Sequence, residues 1–252
     1  MALVTADAII LQAFAYSETS RILRLLTSSH GMQSVIAKGA RGPRNRFGGV
    51  LEPFTEGVVT YYARESRELQ TLSGFELTRS RQALGNDLLR FGGASLIAEI
   101  VICATSESSH PGLFEQVIRS MHALETIAAA DVEATVLTET WRLIASLGFA
   151  PELERCIECT RIVEADETVT FDHTAGGIRC TSCACGAAGR TIPPHARAAL
   201  QAFARREPVT LPRSAGHWWL LSRYLDHHVL EGTRLRSLDF IATAIGDPRC
   251  EP

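Results

Sequence analysis

Four of the seven cysteines form two Cys-x-x-Cys pairs, Cys156 with Cys159 and Cys180 with Cys183, separated by twenty residues. Two residues between thiols let both sulfurs converge from one tight turn, and a hairpin in the intervening segment can bring the second pair alongside. This is close to the spacing of a ribbon-type zinc site, in which four thiolates surround a tetrahedral ion at ~2.3 Å. Four thiolates fill the shell and leave no position for water, so the expectation is one structural Zn2+ ion and no Lewis-acid or hydroxide chemistry. A redox dithiol, an Fe–S cluster, or a site in which Cys185 or His173 replaces one of the four cysteines are the alternatives. Cys103 falls on an apolar helical stripe and is expected to be a small core residue, whereas Cys250 carries no signal.

The second constellation is cationic. Between Thr19 and Leu51 there is no Asp or Glu, while Arg21, Arg24, Lys38, Arg41, Arg44 and Arg46 fall inside that window. Cations without local acids suit phosphate-backbone contacts, and the glycines of segment 38–49 would let the backbone approach closely. The competing reading is a solvated flexible loop, and charge alone leaves the two even. Tyr61, Tyr62, Phe47 and Phe54 could stack on bases, or could equally be barrel core and rim. Lys38 is the sole lysine, a bias that a GC-rich genome accounts for.

Other chemistry lacks its motifs. Lys38 follows Ala37, not the glycine a P-loop requires, and there is no His-Glu-x-x-His, zinc-deaminase or Gly-x-Ser-x-Gly pattern. His227 and His228 are adjacent, which on a helix points them about 100° apart, so a solvated surface is expected rather than a metal pair.

Positioning these residues requires two kinds of element. Residues 8–14, 20–27, 32–37, 56–64 and 69–77 are short apolar or alternating runs divided by turn signals, and predict five strands. No helix is long enough for a crossover, so a small closed barrel of the OB or SH3-like kind is expected, with segment 38–49 as a long loop between the third and fourth strands. From about residue 84 the period becomes helical. Stripes run from Leu88 to Cys103, from Leu113 to Ile127, and from an N-cap at Asp131 to a stop at Gly148. The cysteine segment interrupts, with β-prone residues at 168–172, and helices resume at 195–203 and 216–229. Trp218, Trp219 and Leu220 read as core. The fold class is therefore α+β, an N-terminal OB-fold barrel followed by a helical domain with an inserted zinc-ribbon-like four-cysteine segment. The domains expected are 1–80, 81–150, 151–190 and 191–252.

Composition sets outer bounds. In 252 residues, 46% are hydrophobic and 21% charged, which describes an ordinary globular chain. A net charge of −3 offers no global field for nucleic acid, so any such site is local. No run approaches ~18 apolar residues, and Asp7 stands where a secretory signal would carry positive charge, so a cytoplasmic protein without membrane association is expected.

The run Tyr16-Ser17-Glu18-Thr19-Ser20-Arg21-Ile22-Leu23, then His30-Gly31-Met32, Ala37-Lys38-Gly39-Ala40-Arg41-Gly42-Pro43 and Leu51-Glu52-Pro53-Phe54, resembles the bacterial RecO family of DNA repair and recombination proteins. The likeness continues through Leu147-Gly148-Phe149, both Cys-x-x-Cys pairs and Leu235-Arg236-Ser237-Leu238. The resemblance implies an OB-fold, a helical domain and a zinc-binding segment, and a non-enzymatic role. Such proteins bind single- and double-stranded DNA, anneal complementary strands, contact the C-terminal tail of the single-stranded DNA-binding protein SSB, and with RecR help load RecA. It implies no small-molecule substrate and a nucleoid-associated place in a bacterial cytoplasm. Carried onto this chain, it makes Lys38 and Arg41 the first candidates for phosphate contacts, then Arg44 and Arg46, with Arg21 dependent on strand register. The rival readings are a zinc-ribbon interaction scaffold in repair or transcription, and a zinc hydrolase or dithiol oxidoreductase.

Overall fold

The structure is a computed structural model describing residues 2–42, 45–64, 66–105, 110–186, 188–205, 207, 209, 211, 214–230 and 232–245. Arg44 and Cys250 lie outside the described residues. The chain divides into two compact units, residues 1–126 and 127–252.

Five strands open the first unit: β1 (Ala2–Ala15), β2 (Arg21–Thr27), β3 (Gly31–Ala37), β4 (Glu56–Ala63) and β5 (Leu69–Arg79). They close into a barrel in the order β1-β2-β3-β5-β4, with β3 and β5 parallel and the other pairs antiparallel, which is the OB-fold arrangement. β1 is longer than its apolar run predicts because it serves two partners, pairing β4 through residues 2–9 and β2 through residues 8–15. Period-two alternation sends Ala8, Ile10, Leu23, Leu25, Val35, Val59, Tyr61 and Leu72 into the core.

Between β3 and β4 the chain is a loop, as expected, but it is not merely solvated. Its Ala40 and Phe47, with Leu51 beyond, are buried in the barrel core. Gly39, Gly48 and Gly49 take positive φ here, a conformation that leaves the neighbouring apolar residues free to turn inward. The loop's return is fixed at the β1 bulge, where Ile10 accepts a hydrogen bond from the Phe54 N–H (2.6 Å) and donates to the Thr55 carbonyl (2.9 Å). Phe54 itself holds φ at 66°, and its buried ring meets Phe91 edge-on at 5.9 Å.

A short 3-10 helix (Gln82–Asn86) leads to α1 (Leu88–Ala104), N-capped by the Asp87 side chain, and α2 (Leu113–Thr126) follows. α1 packs on β1 and α2. Cys103 departs from its expected burial. It sits in the last turn of α1 and is exposed, because the buried stripe of that helix ends at Val101.

In the second unit, α3 (Val132–Ser146) starts at Asp131, whose side chain makes no capping bond. It ends where expected. The Gly148 N–H bonds the Ala145 carbonyl and the Phe149 N–H the Ile144 carbonyl, with Gly148 at φ 93°, which is the Schellman arrangement. Then come β6 (Glu152–Cys156), β7 (Val169–Asp172), β8 (Gly177–Arg179) and β9 (Arg190–Ile192), forming one sheet ordered β6-β8-β7-β9. The helices α4 (Pro194–Arg205), α5 (Ala215–His228) and α6 (Arg236–Ile245) complete the unit. α6 has no counterpart in the sequence reading, which saw only its first residues as a family signature. Trp218 and Leu220 are buried as expected, and Trp218 Nε1 donates to Glu133 at 2.8 Å, while Trp219 is half-buried beneath the Arg190 guanidinium.

Candidate metal centre and nucleic-acid interface

The four cysteines reach one point because two neighbouring strands end there. β6 terminates at Cys156, and β8, parallel to it, terminates one residue before Cys180. The β7–β8 hairpin folds the intervening segment back, which is how the second pair comes alongside the first. Each pair sits on a tight turn: the Thr160 N–H bonds the Cys156 carbonyl (2.8 Å), and the Cys183 and Ala184 N–H groups both bond the Cys180 carbonyl (3.0 and 2.9 Å). Thr160 holds φ at 60°, an uncommon conformation for a β-branched residue, imposed by the turn that follows Cys159.

The ligand atoms of Cys156, Cys159, Cys180 and Cys183 all lie within 4.8 Å of one another, with Cys159 and Cys180 sulfurs at 3.9 Å. Tetrahedral bonds of ~2.3 Å place sulfurs ~3.8 Å apart, so the cluster fits a tetrahedral thiophilic cation. The Cys180 N–H points at the Cys156 sulfur (3.4 Å), a second-sphere donor of the kind that stabilises a ligating thiolate. Burial opposes ionisation of Cys156, but the backbone N–H groups of Cys159, Cys180 and Glu158 outweigh it and draw the thiol down to about 6. Shared protons with Cys180 and Cys159, then burial, push Cys183 up to about 12. Four crowded sulfurs cannot all ionise on their own, and a divalent cation at their centre would remove the repulsion. Cys185, exposed, and His173, half-buried, both lie outside the cluster.

The cluster is braced from α4. Buried Arg197 donates to the Val163 and Glu164 carbonyls (3.1 and 2.8 Å), and Gln201 to the Leu153 carbonyl (3.0 Å). Among the described residues, His227 and His228 belong to no cluster of three or more metal-ligating groups. His227 is exposed, whereas His228, expected at a solvated surface, packs on Tyr224 (4.3 Å) and donates from Nε2 to the His173 carbonyl (2.7 Å).

The cationic residues gather at one end of the barrel. Strand register aligns Ala15, Arg21 and Ala37 across β1, β2 and β3, so the β1–β2 turn (16–20) and the start of the basic loop emerge side by side. The Arg41 N–H bonds the Thr19 carbonyl (3.0 Å) and its guanidinium the Ser17 carbonyl (2.8 Å), which ties the loop to that turn. Lys38 and Arg41 are exposed. Arg46 is exposed too, lying over the Phe47 ring at 4.7 Å and donating to the Leu72 carbonyl at 3.3 Å. Arg21 is half-buried and turned inward along the molecule, donating to the Leu51 carbonyl (3.0 Å) and pairing with Glu52 (2.7 Å). Of the segments that carry the resemblance, 16–23, 37–42 and 51–54 are thus neighbours in space, while His30-Gly31-Met32 lies toward the other end of the β2–β3 pair.

Of the aromatics proposed for stacking, Phe47, Phe54 and Tyr61 are 6%, 4% and 1% exposed and belong to the interior, which leaves Tyr62 at 38%. Tyr16, at 60%, was not singled out from sequence, although its place in a turn rather than a strand was the available signal. Among the described residues, no helix is long and apolar enough to cross a membrane.

Two family models together match most of the chain. Residues 1–81 match the family model described as "Recombination protein O N terminal" and residues 85–239 that described as "Recombination protein O C terminal". The chain is 33% identical to the DNA repair protein RecO of Anaeromyxobacter sp. (strain K) over 256 residues, covering 96% of this chain and 98% of that one. It is 30% identical to the DNA repair protein RecO of Synechococcus elongatus over 242 residues, covering 88% of each. With its barrel, its helical lobe and its four-cysteine cluster all inside these matches, the chain belongs to the RecO family of DNA repair and recombination proteins.

Proposed function

We propose that the protein binds single- and double-stranded DNA through Lys38 and Arg41, with Arg46 and Arg44 extending the contact, and anneals complementary strands without catalysis. The observation that carries this is the exposed pair Lys38 and Arg41 on a loop whose apolar residues plug the barrel and whose backbone is tied to the β1–β2 turn. A cationic loop that is anchored pays little ordering entropy on binding. Arg21 serves this reading indirectly, since its guanidinium is already committed to Leu51 and Glu52 and holds the loop's far end in place. Neutralising two polyanionic strands removes the repulsion that opposes their encounter, and base pairing then supplies the driving force. In cells the protein would act at the bacterial nucleoid, exchanging weak contacts with DNA, the SSB tail and RecR so that RecA is loaded. The four-cysteine cluster would hold one Zn2+ ion, held by Cys156, Cys159, Cys180 and Cys183, which braces the second unit.

Titration of affinity for single-stranded DNA against salt tests the reading. Binding should weaken steeply with salt, and replacing Lys38 and Arg41 together by alanine should flatten the log–log slope by about 0.7 per lost contact, about 1.4 in all. An unchanged slope in that double variant would remove this loop as the phosphate site.

A further inference from the structure

The outer face of the barrel carries an apolar row that the described elements cover only in part. The register aligns Phe14 of β1 with Ile22 of β2 and Ile36 of β3. The inward row one position away, Ala13 with Leu23 and Val35, belongs to or packs against the core, so Phe14, Ile22 and Ile36 face outward. Ile22 and Ile36 are half-buried, but Phe14 is 42% exposed. One residue past the end of β1 stands Tyr16, 60% exposed, whose N–H is fixed to the Ser20 carbonyl at 3.1 Å. Phe14 near the end of β1 and Tyr16 in the turn that follows are therefore large exposed rings side by side along the chain, where apolar surface left in water costs free energy.

The neighbours of that row say what covers it. One residue past the aligned trio of Ala15, Arg21 and Ala37 stand Tyr16 on one side and Lys38 on the other, two strand spacings or ~10 Å apart. The Arg41 guanidinium is bonded to the carbonyl of Ser17, the residue after Tyr16. Cations on one rim and aromatic rings beside them are complementary to a strand whose phosphates lie on one side and whose unpaired bases turn to the other. In a duplex the base faces are already stacked and cannot reach such a ring.

We propose that Tyr16, with Phe14 behind it, is a stacking platform for unpaired bases, and that it is what makes the basic loop favour single strands over duplex. The inference rests on the DNA-binding reading above and adds to it a residue-level source of discrimination. A ring that stacks one base contributes about 1–3 kcal/mol, so Tyr16→Ala should weaken binding of a single-stranded oligothymidylate by about 5- to 150-fold. Its affinity for a duplex of equal length should stay within about twofold, and its salt slope should match that of the unaltered protein, since no phosphate contact is lost. Tyr16→Phe, which keeps the ring, should retain single-strand affinity, and Phe14→Ala should show a smaller loss of the same kind. A 2-aminopurine placed in the oligonucleotide should be quenched at saturation by the unaltered protein and less so by Tyr16→Ala. Single-strand affinity unchanged in Tyr16→Ala, or equal losses on single strand and duplex, would overturn the inference. If that happened while the Lys38 and Arg41 double variant still flattened the salt slope, phosphate binding by the loop would stand and only the platform would fall.

Discussion

Asp172 shows how one carboxylate can hold a turn that the cysteine cluster needs. It is buried at the end of β7, accepts from the Thr174 and Ala175 N–H groups and the Thr174 hydroxyl, and pairs with Arg179 at 3.1 Å. Burial works against its charge, but those donors prevail and hold it at about 2, against an ordinary 3.8. Its contribution, roughly 2 kcal/mol, is therefore complete above pH ~4 and is lost as pH falls through its folded value near 2. Asp172→Asn should lower unfolding free energy by about that amount at pH 6, and the gap between the two proteins should close by pH 2. Urea unfolding of both across that range checks it, and a gap independent of pH would refute the assignment. The same turn needs Gly177, where an added Cβ would lie 2.6 Å from Ile157 Cγ2 and 2.9 Å from the Glu152 carbonyl.

Between elements, the first unit is joined by a buried cation. The Arg81 side chain has no exposure, and it pairs with Glu56 of β4 and with Glu125 of α2 at 2.8 Å. Arg79 adds a second contact to Glu125 at 2.7 Å. Both carboxylates are mostly buried, so removing the guanidinium leaves charge without compensation. Arg81→Met should cost about 3–5 kcal/mol in urea unfolding, and adding Glu56→Gln with Glu125→Gln should recover more than half. A loss below about 1 kcal/mol for Arg81→Met would mean the network does not join barrel to helix. No periodicity in sequence announces this pairing, because Glu56 and Glu125 are distant from Arg81 along the chain and meet it only once the barrel has closed.

At the scale of the whole molecule, the four-cysteine cluster and the cationic loop belong to separate units. On the proposed metal reading, a thiophilic chelator should release one ion per chain and abolish hydrogen-exchange protection across residues 152–192. Amides of residues 2–79 should stay protected, and single-strand affinity should be retained. Loss of barrel protection, or of DNA binding, would place the metal in the DNA-binding function itself. The sequence alone determined the five-stranded barrel, the first five helices and the four clustered cysteines, because these follow from local periodicity and from spacing across single turns. It equally marked the family, since segments 16–23, 30–32, 37–43 and 51–54 carry their signature in order along the chain. Only the tertiary structure decided that Phe47, Phe54 and Tyr61 are interior, that Cys103 is exposed, that His228 is docked on Tyr224, and that Arg21 answers to Glu52. The physical reason is common to all four: which side of a strand, helix or loop is covered depends on what folds against it from elsewhere in the chain, and period and composition carry no record of that partner.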